Sequence, residues 1–205
     1  MRVIETQVFT YSELSDDAKA KARDWYREAS QGDNYFSESV IEDAAMIAAM
    51  LGIEIKTRSV KLMGGGTRQE PLIYWSGFYS QGDGASFEGT YSYKADCLAA
   101  ISAHAPQDEK LHAIARALQD NGNGLVATIE RYRHARTMQI DVETEDGDVA
   151  LPETETALIE AFRDFADWIY CQLEKEYEYV NSDEAVAETI IANEYEFTAD
   201  GKRED

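Results

Sequence analysis

The sequence predicts a single α+β domain over residues 1–205: a mainly antiparallel sheet of about five or six strands, helices packed on it, and a long amphipathic C-terminal helix. Three observations predict it. The first is the stretch from Leu72 to Tyr93, LIYWSGFYSQGDGASFEGTYSY, the densest aromatic run in the chain. Two strand-like segments flank its polar turn, Ser80-Gln81-Gly82-Asp83-Gly84. Alternate residues of a strand face opposite sides, so this many rings place aromatics on both faces and call for helical cover on at least one. The second is the row Leu158, Phe162, Phe165, Ile169 and Leu173, whose spacing keeps one helical face apolar. The third is the alternation of helical periodicity with short strands and turn signals, without an internal repeat or a Pro- or Ser-rich linker.

The elements follow in order. Val3 to Thr10 alternates weakly, as a first strand does. Ser15 is an N-cap, with Asp16 and Asp17 in the first turn, where carboxylates suit the helix dipole. Ala18, Ala22, Trp25, Tyr26 and Ala29 then keep helical spacing. Lys19, Lys21, Arg23 and Arg27 form the basic side of that helix, a solvated face. A second helix runs from about Ser37 to Leu51, with Gly52 at its C′ position. Ile53 to Leu62 reads as one strand. Gly64-Gly65-Gly66 is a flexible connector, since no Gly-Lys-Ser/Thr opens a helix after it to make a phosphate cradle. Beyond the aromatic stretch, Ala95 to Ala105 and Asp108 to Asn121 read as helices separated by Pro106. Asn121-Gly122-Asn123-Gly124 marks a turn, and Leu125 to Arg133 and Thr137 to Glu143 read as paired strands. Pro152 stands near the start of the long helix, about Glu153 to Tyr179. Ser182 caps a last helix, Glu194 to Thr198 returns as an edge strand, and Ala199 to Asp205 is expected to fray.

Charge is the strongest physical signal. The chain carries 40 acids and 19 bases, a formal net charge of −21. That balance argues against direct nucleic-acid binding, which needs clustered Lys and Arg. It argues equally against docking on anionic membranes, and it favours attraction to basic surfaces. Residues 1–140 hold 19 acids and 15 bases, whereas residues 141–205 hold 21 acids and 4 bases. The helical last third is therefore a strongly acidic part of the domain, with a net charge of −17. Cys97 and Cys171 have apolar neighbours in helical patterns, which predicts buried free thiols and a reducing cytosol. The N-terminus has no long apolar stretch of signal-peptide type, and no apolar run approaches the ~20 residues that span a bilayer.

Chemistry-bearing motifs are scarce. Asp141, Glu143, Glu145, Asp146, Asp148 and Glu153 suggest an EF-hand. With Gly147 at loop position six, however, Val142 and Thr144 fall where carboxylate ligands belong. His104, His112 and His134 lack zinc spacing, and no Ser or Cys has a base in a recognisable local motif. No catalytic residue, metal or cofactor is implied. Two candidate sites remain. Gly82, Asp83 and Gly84 form a turn that either holds a ligand through the Asp83 carboxylate or is structural, with Asp83 bonded to its own backbone. Glu160, Asp164, Asp167, Glu174 and Glu178 run along one side of the long helix. At ~1.5 Å per residue this row invites comparison with duplex DNA, which carries one charge per ~1.7 Å of axis. It is either a solvated face or a surface that imitates phosphates.

Three blocks resemble a family of bacteriophage and prophage proteins whose members are often labelled "antitoxin of toxin–antitoxin stability system". They are Phe9-Thr10-Tyr11-Ser12-Glu13-Leu14-Ser15 with the following Ala22-Arg23-Asp24-Trp25-Tyr26, the central Ser76-Gly77-Phe78-Tyr79-Ser80-Gln81-Gly82-Asp83-Gly84-Ala85-Ser86-Phe87-Glu88-Gly89, and the tail from Leu173-Glu174-Lys175-Glu176-Tyr177-Glu178-Tyr179 to Asn193-Glu194-Tyr195-Glu196-Phe197. The resemblance implies a phage gene product acting in the bacterial cytoplasm and carries over no catalytic residues. Two functions follow. One is a non-enzymatic protein whose acidic face binds and blocks a basic host protein, either a nucleic-acid-binding defence complex, by DNA mimicry, or a toxin. The other is a small-molecule- or metal-binding protein, or an enzyme, with its site at Gly82-Asp83-Gly84. An aromatic sheet face left uncovered would add a homodimer.

Overall fold

In the computed structural model, which describes residues 7–204, the middle of the chain is a branch point of three strand ribbons. β2 (Ile53–Ile55) runs into β3 (Thr57–Lys61), β4 (Thr67–Pro71) into β5 (Ile73–Trp75), and β6 (Ala85–Phe87) into β7 (Gly89–Ser92). Each pair changes partner at the residue between its strands: β2 pairs with β7, β3 with β4, and β5 with β6. Those three residues close a ring of backbone hydrogen bonds. Lys56 N–H donates to Glu88 O (2.8 Å), Glu88 N–H to Leu72 O (3.0 Å), and Leu72 N–H to Lys56 O (2.7 Å). All three donors and all three acceptors are used, as a backbone bend inside a fold requires. The single strand expected over Ile53 to Leu62 is therefore two strands in different ribbons. The expected hairpin from Leu72 to Tyr93 likewise ends at Phe87. A change of partner leaves no mark on side-chain alternation, so periodicity misses it.

β7 continues into a four-stranded antiparallel sheet of order β2-β7-β8-β9, with β8 at Leu125–Arg131 and β9 at Met138–Thr144. The strands are thus spread over one four-stranded and three two-stranded sheets, rather than gathered into one sheet of five or six. Alternation divides the larger sheet cleanly. Ile53, Tyr91, Ala127, Ile129 and Val142 are buried, while Glu54, Thr90, Thr128 and Asp141 are exposed and aligned across the four strands. The α+β class is as the sequence predicts.

The chain divides into two compact units, Glu38–Glu174 and a second built from both ends, up to Ser37 and from Lys175. The boundaries fall inside α2 (Phe36–Met50) and α5 (Pro152–Val180). In the larger unit, Leu158, Phe162, Phe165, Ile169 and Leu173 of α5 are all buried. Phe165 meets Phe87 edge-on at 5.6 Å between centroids, and Phe162 meets Tyr91 at 5.2 Å. The face of the aromatic stretch that carries Phe87 and Tyr91 is therefore covered by α5. α3 (Cys97–His104) and α4 (Glu109–Asn121) complete this unit. Asp108 caps α4 through Leu111 N–H (3.0 Å) and accepts the Trp168 indole N–H (2.8 Å), tying α4 to α5.

In the smaller unit, α1 (Asp16–Ala29) is capped by Ser15 and α6 (Asp183–Ala192) by Ser182, as expected. Tyr11, Leu14, Ala18, Ala22, Val186, Ile190 and Phe197 form its core. β1 (Phe9–Thr10) pairs with β10 (Glu196–Phe197); residues 3–6 of the expected first strand lie outside the described residues. The basic side of α1 is partly engaged: Arg23 and Arg27 both bind Asp183, at 2.9 and 2.5 Å. The tail expected to fray instead folds back. Thr198 N–H donates to Lys202 O, and Gly201 N–H to Thr198 O. Gly201 (φ +84°) lies so close to α1 that a Cβ would stand 2.3 Å from Ala18 O. A local backbone turn, invisible to hydrophobic patterning, holds the chain end.

Candidate functional site

The turn between β5 and β6 is built around Asp83. Its carboxylate accepts the N–H groups of Ser80 (2.7 Å) and Tyr79 (3.0 Å), and its own N–H donates to Ser80 O (3.0 Å). These donors, Ser80 first, hold the Asp83 carboxyl below the usual carboxylate range. Gly84 packs against Arg136, whose Cβ would stand 2.6 Å from a Cβ at this position. The Arg136 guanidinium donates to Gln81 O at 2.6 Å. Neither Gly82 nor Gly84 adopts a positive φ, and a Cβ at Gly82 would meet nothing within 4 Å. Gly82 is thus an open turn residue, Gly84 a point of close packing, and Asp83 the turn's internal acceptor. Of the two readings of this turn, the geometry favours the structural one.

On α5, Glu160, Asp167 and Glu178 are exposed, and Asp164 and Glu174 are half-buried. At ~100° per residue the five carboxylates fall within an arc of about 80°. Glu178 lies in the part of α5 that belongs to the smaller unit; the other four are in the larger. Those four extend over about 21 Å of helix, a mean spacing of about 7 Å, against one phosphate per ~3.4 Å along a single DNA strand. The Lys110 ammonium lies 2.6 Å from Asp164 and neutralises it. Glu160, Asp167 and Glu174 have no ion-pair partner among the described residues. The row attracts cations, but it is sparser than a phosphate backbone.

Tyr170 brings the two candidates together. It donates its hydroxyl to Gly77 O (3.0 Å), in the loop that leads into the Asp83 turn, and its ring meets Phe78 at 5.4 Å. Burial pushes the phenol pKa up, and the charges of Glu174 and Asp83 add to the shift. The acidic face of α5 and the Asp83 turn are therefore neighbours, although Gly77 and Tyr170 are 93 residues apart in sequence. No sequence signal announced this, because the contact runs through a tyrosine that the helical pattern assigns to the margin of the apolar stripe.

A second acidic stretch contains the six carboxylates that the sequence offers as an EF-hand. Residues 141–155 hold seven carboxylates and no base, and none of them forms an ion pair among the described residues. Asp141 and Glu143 stand on the exposed face of β9, and Glu145 to Asp148 form the turn after it. Among the described residues no three His, Cys, Asp or Glu side chains gather as a metal site needs, and no helix is long and apolar enough to cross a membrane. Cys97 is buried, with its Sγ 3.3 Å from Ala115 O and its thiol pKa pushed up by burial. Cys171, expected to be buried, is exposed, because its place on α5 lies toward the carboxylate row rather than the apolar stripe.

Neither a curated protein nor a solved structure matches the chain. A family model matches residues 36–183, from the first residue of α2 to the first of α6, and on that match the chain belongs to the family described as a domain of unknown function, DUF8835.

Proposed function

We propose that this chain is a non-enzymatic interaction protein, phage- or prophage-encoded and acting in the bacterial cytoplasm, that uses an acidic surface to bind and block a basic host protein. One observation supports the reading above others: Glu160, Asp167 and Glu174 share a face of α5, unpaired, in the third of the chain that carries a net charge of −17. A basic surface gains Coulomb energy against such a face at little desolvation cost, and association is accelerated at long range. The target is either a nucleic-acid-binding defence complex, whose basic groove would accept carboxylates in place of phosphates, or a basic toxin. The row's spacing suits charge complementarity better than phosphate-by-phosphate imitation.

The test is capture from host lysate with tagged protein at low and high salt, alongside the triple variant E160K/D167K/E174K. The reading expects a basic partner at low salt, diminished at high salt and weakened at least tenfold by the variant. Displacement by DNA identifies a nucleic-acid-binding target, and retention in DNA identifies a target of toxin type. If the variant captures the same partner as the wild type, the α5 face is not the interface.

A further inference from the structure

The link between β9 and α5 exposes two large aliphatic side chains where a strand-to-helix connection would ordinarily bury them. Val149 is 89% exposed and Leu151 is 73% exposed, with Ala150 buried between them. The segment is extended and bridges β9 antiparallel at Glu143 and Val149. Thr144 N–H donates to Asp148 O (2.9 Å), and Asp148 N–H donates to the Thr144 hydroxyl (2.9 Å). Backbone polar groups alternate in direction along an extended chain. With Asp148 facing β9, the N–H and C=O of Val149 face away from it, and neither has a partner among the described residues. Three features therefore coincide: an open backbone edge, two aliphatic side chains spaced two residues apart, and a surround of carboxylates at Glu143, Glu145, Asp146, Asp148, Glu153 and Glu155 with no base among them.

We infer that Asp148–Leu151 is a strand-addition site for a basic partner segment in which lysine or arginine alternates with aliphatic residues. An added strand would pair with the Val149 backbone, set its aliphatic side chains beside Val149 and Leu151, and present its cations to the surrounding acids. Charge decides the occupant. A second copy of this chain carries −21 and would bring acid against acid, whereas a basic segment meets complementary charge on either side of the apolar pair. The site shares no residue with the α5 row and rests on the reading above only for the sign of the partner's charge.

The probe is a short fluorescent peptide of alternating lysine and valine, compared with one of alternating lysine and serine, by anisotropy on the full chain. The lysine–valine peptide is expected to bind at least tenfold more tightly, weakening with salt and slowing hydrogen exchange at the Val149 amide. V149S/L151S, which changes only exposed side chains, should abolish the difference between the peptides. Equal binding of the two peptides, an unaltered Val149 amide, or full binding by V149S/L151S would each overturn the inference. The α5 variant E160K/D167K/E174K separates the two ideas. Peptide binding that survives it while lysate capture fails leaves the strand-addition site standing without the α5 interface. Lysate capture that fails with the α5 variant, while the wild-type chain binds the two peptides equally, leaves the α5 interface standing without the strand-addition site.

Discussion

At the scale of single residues, Asp83 carries the sharpest consequence. A carboxylate that accepts two backbone N–H groups of its own turn acts as a local cap. Asp83→Ala is expected to destabilise the fold by leaving the Tyr79 and Ser80 N–H groups without their acceptor, read as a lower urea midpoint at unchanged slope. A variant as stable as the wild type would return Asp83 to consideration as a ligand-binding group. Cys171 makes a different point. Its neighbours in sequence are apolar, yet it is exposed while Cys97 is buried. One turn of helix carries both environments, and residue type alone does not say on which side of the boundary a small thiol falls.

At the scale of elements, the α1–α6 pair has a stated pH dependence. Asp183, in the first turn of α6, binds Arg27 and Arg23 of α1. The Arg27 hydrogen bond, with the Arg23 charge behind it, lowers its pKa below the ordinary 3.8. A depressed carboxyl contributes its stability above the ordinary value and loses it as pH falls through the folded-state value. The contact is therefore complete at neutral pH and is lost in the window below 3.8. Amide exchange across α6 should accelerate as pH is lowered into that window, after correction for intrinsic rates, and Asp183→Asn should show the faster local opening already at neutral pH. Equal protection in the variant and the wild type at neutral pH would mean that the ion pairs contribute nothing to docking α6. The Lys56–Leu72–Glu88 ring belongs to the same scale. It joins three ribbons through backbone alone, so it constrains the topology while placing little demand on side-chain identity.

For the whole molecule, net charge dominates. A chain at −21 repels itself when compact, and dissolved salt screens that repulsion, with a Debye length near 10 Å at 0.1 M. The urea midpoint should therefore rise as sodium chloride is raised from about 0.01 M to about 0.5 M. A midpoint that falls would mean that ion pairs such as Lys110–Asp164 and Arg23–Asp183 outweigh the general repulsion. The same salt series should weaken any basic partner, so stability and binding are expected to move in opposite directions. That opposition distinguishes charge complementarity from an apolar interface, whose affinity salt leaves largely unchanged.

The sequence by itself determined the α+β class, the helices with their caps at Ser15 and Ser182, and the buried stripe of α5. Local propensity and periodicity report which residues must leave water, and those rules act within one element. It also determined the net charge of −21. Tertiary structure alone decided the rest. It split Ile53–Leu62 and Leu72–Tyr93 at the strand junction, because partner exchange is a property of three distant backbones. It placed Tyr170 between Glu174 and the Asp83 turn, matched Lys110 to Asp164, and folded the tail onto α1 through Gly201. It also left Val149 and Leu151 in water on an open edge. Each of these depends on which surfaces meet in space, and that is settled by long-range pairing and packing rather than by the order of neighbouring residues.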